Sequence, residues 1–321
     1  MGAKLKSSLF VENFKKRENA KGECDKKSHE KFMDRKFWIW FSRIKKLTII
    51  QKNELIEKFE NPEIIWRLSA EDLKCKTGYN DECITEILKK EYREGIDRFE
   101  DYMNKNRIKM ITMFDKEYPD NLRKIYDKPI LLFAKGNIDL LKEKCVAIVG
   151  TRCCSNYGKE VANNVSYNLA KENICIVSGL AKGIDSISHN AALNANGRTI
   201  AVIGCGLDYV YPYENKNLYE RIINNNSLIV TEHIIGTKPE KLNFPARNRI
   251  ISALSKAIIV VEAKEKSGAL ITAEFGLEHG KEVFAVPGNI NNRNSIGTNN
   301  LIKDGANVLT DYMDVLEFCN Y

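Results

Sequence analysis

From Ile108 onward, apolar runs of strand length alternate repeatedly with amphipathic stretches of helical length. The predicted strands are Cys145–Val149, Ile174–Val177, Thr199–Ile203, Leu228–Val230, Ala257–Val261, Val283–Val286 and Asn307–Leu309. The predicted helices between them are roughly 158–172, 184–196, 215–225, 249–254, 269–279 and 299–303. Continuous apolar runs are the mark of strands buried on both faces, and β–α alternation produces right-handed crossovers. The fold class is therefore α/β: a doubly wound, mostly parallel sheet, assigned to residues 107–321. Residues 37–106 carry a different texture. Phe37, Ile39, Trp40 and Ile44 fall near helical spacing, as do Leu55, Ile56 and Phe59, and then Ile84, Ile87, Leu88 and Tyr92. Pro62 suits a first helical turn, and Ser69 ahead of Asp72 reads as an N-cap with an acidic first turn. Five short helices are expected in this all-α module, with the aromatic stripe Phe37, Trp38, Trp40 and Phe41 in its core and not serving as a base-stacking platform.

Charge divides the chain a third time. The formal net charge is +7, but residues 1–36 hold eleven Lys or Arg against six Asp or Glu. The rest of the chain is nearly balanced, so a polyanion site in its body must be a local patch. The segment 1–36 has no sustained periodicity and is expected to be a mobile basic tail. It has no apolar core of a secretory signal, and no window approaches the length of a membrane helix, so membrane insertion is not expected. Nine scattered cysteines without a C-x-x-C pair argue against a disulfide framework or a structural zinc site and point to a reducing, cytoplasmic setting.

Candidate chemistry gathers at the carboxyl ends of the predicted strands, where open parallel sheets bind ligands. Gly150-Thr151-Arg152 and Ser155 follow the first core strand. Ser178-Gly179 through Lys182-Gly183-Ile184-Asp185 follow the second, Gly204-Cys205-Gly206 the third, and Pro287-Gly288-Asn289 the sixth. Glycines allow close backbone approach, and helix N-termini present free N–H groups, so the expected guest is an anion, most simply phosphate. Neither a P-loop nor a dinucleotide fingerprint is present, which removes most support for ATP hydrolysis and NAD chemistry. Phe244-Pro245-Ala246-Arg247-Asn248-Arg249 places two guanidiniums before a helix expected to begin near Ile250, a spacing suited to successive phosphates of a strand. The bland alternative pairs them with Glu232 or Glu262. Ser267-Gly268 offers another helix start with a hydroxyl and a free amide. Asp185 and His189 could form an acid–base pair four residues apart, but a cap and a packed or phosphate-binding imidazole are simpler. Glu232 and Glu262 could act on a glycosidic bond, yet a cap or an arginine partner is simpler again. Cys153 and Cys154 read as small loop side chains.

Taken in order, Tyr118-Pro119, Ser178-Gly179, Gly183-Ile184-Asp185, Tyr211-Pro212, Phe244-Pro245, Arg247-Asn248-Arg249, 267–273, Val286-Pro287-Gly288 and 295–306 resemble the DNA-processing protein A family, also called DprA or Smf. The resemblance covers about Tyr118 to Asp311. It implies an extended Rossmann-like core preceded by a sterile-alpha-motif-like (SAM-like) helical domain. It also implies a cytosolic, non-catalytic protein without cofactor or metal that binds single-stranded DNA and forms homodimers through its core. The family helps to place the recombinase RecA on DNA covered by single-strand-binding protein. In competent bacteria it protects incoming strands and promotes recombination during transformation. Arg152 and Lys182 match basic motif positions of the family's DNA pocket, and Arg247 and Arg249 are expected beside them. The DNA-binding set is thus Gly150, Thr151, Arg152, Ser155, Gly179, Lys182, Gly183, Arg247, Asn248, Arg249, Ser267 and Gly268. This chain departs from the family pattern at Thr151, Ser188 and Thr231. It also has Lys45-Lys46-Leu47-Thr48 where many relatives have a glycine-rich hairpin, and their C-terminal winged helix is not expected here. The rival reading is a nucleotide phosphoribohydrolase of the lysine-decarboxylase-like group, although Pro287-Gly288-Asn289 is only an echo of that group's signature.

Overall fold

The computed structural model describes residues 35–319. All but the last two residues of the basic segment 1–36 lie outside the described residues. Six α-helices open the described chain: α1 (Arg35–Arg43), α2 (Ile49–Phe59), α3 (Pro62–Arg67), α4 (Ala70–Thr77), α5 (Asp81–Leu88) and α6 (Ile96–Lys105). That is one more than the periodicity predicts. Their starts follow from local chemistry. Thr48 and Gln51 form a reciprocal capping box on α2, Asn61 caps α3 with Pro62 in its first turn, and Ser69 and Asn80 cap α4 and α5. The aromatic stripe is interior, with Phe37, Trp38, Trp40 and Phe41 all buried. Trp66 meets Phe37 and Trp40 edge-on at 5.4 and 5.1 Å between ring centroids, an arrangement that aromatic quadrupoles favour. From residue 36 the helices continue into the rest of the described chain as part of one compact unit. Asn53 Nδ2 donates to the Lys128 carbonyl at 2.9 Å, and Lys128 pairs with Glu57 at 3.0 Å.

The remainder is built on a nine-stranded sheet. Its strands are β1 (Lys109–Thr112), β2 (Leu131–Gly136), β3 (Cys145–Val149), β4 (Cys175–Ser178), β5 (Thr199–Val202), β6 (Leu228–Thr231), β7 (Ala257–Val260), β8 (Glu282–Ala285) and β9 (Asn307–Val308), in the spatial order β1-β2-β6-β5-β4-β3-β7-β8-β9. The two strands absent from the sequence reading, β1 and β2, are the antiparallel ones; β3 to β9 are parallel to one another. Helices α7 (Asp120–Arg123), α8 (Asn156–Lys171), α9 (Ile184–Asn194), α10 (Lys216–Asn224), α11 (Asn243–Leu254), α12 (Gly268–Glu278), α13 (Ile296–Lys303) and α14 (Met313–Cys319) complete the chain.

Both faces of the sheet are covered, and strand parity shows how. Val146 and Ile148 of β3 share a core with Val165 and Leu169 of α8, Ile184 of α9 and Ile259 of β7. Ile258, the neighbour of opposite parity, lies against α12, where a Cβ at Gly276 would come within 2.4 Å of its Cδ1. All five β3 residues are buried. Each buried Val or Ile contributes roughly 1.5–3 kcal/mol of hydrophobic stabilisation. Along the chain the strand order runs outward from β3 to β6, then returns to the other side of β3 with β7, β8 and β9. The turning point therefore lies between β3 and β7, and the loops leaving their carboxyl ends diverge around a crevice.

One helix starts earlier than its sequence suggests. The segment Phe244 to Arg249 lies inside α11, which begins at Asn243 and not near Ile250. Pro245 is its third residue, and a first turn tolerates proline because its N–H groups have no intrahelical acceptor.

Candidate nucleic-acid interface

A cleft of about 570 Å³ occupies the crevice between β3 and β7. The β3–α8 loop supplies Gly150, Thr151, Arg152 and Cys153. The β7–α12 loop supplies Lys264, Lys266, Ser267 and Gly268. Helix α11 and the residues before it supply Lys241, Phe244, Arg247 and Asn248. Ala181, Asp185 and Tyr211 also stand in the wall. Five cationic side chains thus surround one carboxylate. Arg152, Lys241, Lys264 and Lys266 are exposed, whereas Arg247 and Asn248 are buried in the floor.

The floor is held tightly. Arg247 Nη1 donates to the carbonyls of Gly179 (2.7 Å) and Val202, and Nε donates to Asn248 Oδ1 at 3.1 Å. Asn248 Nδ2 in turn donates to the Gly268 carbonyl at 3.1 Å, tying the floor to the start of α12. Gly179 is required here, because a Cβ would fall 2.5 Å from the guanidinium nitrogens of Arg247. Gly183 has a φ of +79°, and its Cβ would meet the Thr151 carbonyl at 2.4 Å, so the loops after β3 and β4 can pack only around a glycine. Burial draws the Arg247 guanidinium down to about 10, against the pull of Asp185, so it stays charged at neutral pH. Burial likewise raises Asp185, whose carboxylate accepts from the Gly179 N–H at 3.1 Å, while Arg247 opposes the shift.

Above the floor stands an aromatic pair. The rings of Tyr211 and Phe244 lie 5.3 Å apart with an interplanar angle of 31°, and the Arg152 guanidinium sits 5.9 Å from the Phe244 centroid. Tyr211 is 41% exposed, so its ring is open to a ligand.

The sequence-predicted residues divide into three groups. Gly150, Thr151, Arg152, Arg247, Asn248, Ser267 and Gly268 line the cleft. Gly179 and Gly183 shape it from behind without lining it. Ser155, Lys182 and Arg249 are directed elsewhere. Ser155 caps α8 by accepting from Gly158 N, and its hydroxyl donates to the buried Glu262 at 2.5 Å. Lys182 forms a 2.6 Å ion pair with Glu214, both exposed. Arg249 is buried and bidentate to Glu232, with both N–O distances at 2.7 Å, and its Nε donates to the Asp127 carbonyl at 2.9 Å. The cause lies in the register of α11. Two residues on a helix are about 200° apart, so Arg247 and Arg249 must face opposite ways. The expectation that both guanidiniums follow one strand does not survive their placement within the helix. Burial opposes ionisation of Glu232, but Arg249 outweighs it and holds the carboxyl below the usual range.

The acid–base pair considered at Asp185 and His189 is also committed. His189 is fully buried, accepts from the Leu180 N–H at 3.3 Å through Nε2, and lies 2.6 Å from Thr199 Oγ1 through Nδ1. Burial, assisted by Arg247, lowers its imidazole to about 3, so it is neutral near pH 7. Among the described residues, no cluster of His, Cys, Asp or Glu could hold a metal ion, and no helix is long and apolar enough to cross a membrane.

The family model for DNA recombination-mediator protein A matches residues 109–320. The chain belongs to that family. DNA processing protein DprA of Streptococcus pneumoniae is 50% identical over 205 residues, covering 64% of this chain and 72% of its own length. Protein Smf of Synechocystis is 38% identical over 280 residues, 85% of this chain and 69% of its own length. The X-ray structure of the S. pneumoniae DNA processing protein A superposes with a TM-score of 0.75 and 40% identity, covering 88% of this chain and 97% of that one. A DNA processing protein A from Helicobacter pylori, described for its single-stranded DNA binding mode, has a TM-score of 0.59 and 32% identity over 66% of this chain and 95% of its own. In this member of the family, sequence reasoning missed Lys241, Lys264 and Lys266 as cleft residues. The strand-end rule pointed to the loop after β7, but only Ser267 and Gly268 were taken from it. Lys264 and Lys266, two apart around Glu265 and just ahead of a capped helix, were the available signal.

Proposed function

We propose that this recombination-mediator protein binds a single strand of DNA in the cleft between β3 and β7. The carrying observation is the cleft's combination of five cations with an aromatic pair, in which Tyr211 is exposed and Phe244 half-buried. Arg152, Lys241, Lys264 and Lys266 supply phosphate contacts, with Arg247 charged beneath them. Tyr211 and Phe244 supply π-faces for unstacked bases. A duplex keeps its bases stacked inside and cannot use those faces, so single strands are preferred. Backbone contacts carry little sequence information, which makes binding sequence-tolerant and strongly salt-dependent. No side chain acts as a catalyst in this reading. The phosphoribohydrolase alternative loses its candidate carboxylates, since Glu232 is held by Arg249 and Glu262 by Ser155. The family's mediator role supports a bound strand being passed to RecA. An open sheet edge at β9, with Val308 44% exposed, supports pairing of two copies through the sheet domain. Fluorescence anisotropy with labelled oligo-dT and a matching duplex, across a salt series, tests the reading. Single-strand preference with affinity falling steeply in salt is expected. Equal binding to both, or none at low salt, would overturn it.

A further inference from the structure

Beyond the cleft, on its β8 side, lies a set of exposed groups that the cleft does not use. Tyr157, in the first turn of α8, is 47% exposed. Its hydroxyl donates to the Pro287 carbonyl at 3.0 Å, which fixes the ring while leaving a face to solvent. Arg293, in the loop between β8 and α13, is exposed and has no carboxylate partner among the described residues. Ile290, in the same loop, is 84% exposed.

This loop is fastened to the cleft wall. Asn294 Nδ2 donates to the Cys153 carbonyl at 2.9 Å, and Ala263 N donates to the Asn294 carbonyl at 2.8 Å. Cys153 and Lys264, the residue after Ala263, both line the cleft. A tethered aromatic ring and a free guanidinium therefore stand just outside the wall, held to it by hydrogen bonds. The carboxylates in the neighbourhood are few. Glu262 is buried and occupied by Ser155, while Glu265 and Glu160 are exposed.

The geometry points to a second contact surface, formed by Tyr157 and Arg293, that receives single-stranded DNA as it leaves the cleft past Cys153. A base stacks on the Tyr157 ring, and the adjoining phosphate pairs with Arg293, whose planar fork suits phosphate oxygens. This inference rests on the cleft being a single-strand site. It adds a direction to that reading: a strand longer than the cleft extends toward β8.

The test compares a short oligo-dT of about six nucleotides with one of about fifteen, lengths chosen within the span of single-strand sites. The proteins are wild type, Tyr157→Ala/Arg293→Ala, and Tyr157→Phe. Both mutated side chains are exposed, and melting curves check that the fold is kept. Wild type is expected to bind the longer strand more tightly. The double variant is expected to bind the short strand normally, lose about ten-fold on the long one, and show a salt slope shallower by about 0.7. Tyr157→Phe keeps the ring and is expected to keep most of the long-strand affinity. Wild-type affinity and slope in the double variant on the long strand would overturn the exit surface while leaving the cleft reading intact. Failure of wild type to bind either length would overturn both.

Discussion

The two ends of the parallel sheet carry hollows of similar size and opposite character. The carboxyl-end cleft measures about 570 Å³, and a hollow of about 510 Å³ opens at the amino end. Both contain basic side chains. The amino-end hollow has Lys171 and Arg198, but Asp139 and Glu143 balance them. It also receives the ends of α8, α9 and α10, which are followed by Asn173, Asn196 and Asn226 in the left-handed region at φ 60°, 57° and 52°. Helix C-termini are negative, so cations there answer carbonyl ends already present. At the carboxyl end the helices begin, their N-termini are positive, and five further cations add to the same sign around Asp185 alone. A lysine at one end completes the fold, and a lysine at the other creates a field awaiting an anion.

The sharpest way to break this contrast is to reverse charge at each end. Arg152→Glu/Lys264→Glu is expected to weaken oligo-dT binding by roughly a hundred-fold at moderate salt, since two phosphate contacts are replaced by repulsion. Lys171→Glu/Arg198→Glu is expected to change it less than about two-fold, because non-specific attraction to that end is already balanced. Anisotropy titrations on both variants decide it, and equal losses would erase the distinction. A smaller effect should follow Gly179→Ala, which crowds a guanidinium pinned by two carbonyls. Thermal and denaturant melts are expected to show a loss of about 1–3 kcal/mol, the usual cost of overpacking, together with weaker binding. Unchanged stability would mean that Arg247 is free to move. The smallest effect is expected at Lys182, whose charge is matched by Glu214. Lys182→Ala should leave affinity within about two-fold in moderate salt, where exposed ion pairs are screened. A loss comparable to that of Arg152→Ala would return Lys182 to the site.

Much of this arrangement was legible in the chain, and the failures have physical causes. The parallel strands were readable because residues buried on both faces must be apolar without interruption, as in Cys145–Val149. β1 and β2 lie at the antiparallel end of the sheet, and β1 is a four-residue edge strand whose pattern is exposed at Lys109 and buried at Ile111 and Thr112. A run as short as β1 gives no periodicity, whereas β2 lies on the buried apolar run 130–134, a legible signal that was passed over. The glycine-rich turns marked the rim of the cleft, because a close approach of backbone to backbone, as at Gly183, leaves only one residue type possible. Side-chain direction was not legible. It depends on where α11 starts, and Pro245 gave a false boundary by being compatible with both sides of it. A shift of that start turned Arg249 from a phosphate ligand into the partner of Glu232. Lys264 and Lys266 escaped because exposed loop lysines look alike in sequence, and only the turning point between β3 and β7 sets these two apart.

The central claim, a single strand lying in the carboxyl-end cleft with bases against aromatic rings, is most directly tested by photo-crosslinking. Oligo-dT substituted with 5-iododeoxyuridine would be irradiated with the full-length protein and the adducts mapped by mass spectrometry. Adducts on Tyr211 or Phe244, competed by unlabelled single strand and not by duplex, are the predicted result. Adducts confined to peptides of the amino end, around Lys171 and Arg198, would contradict the account.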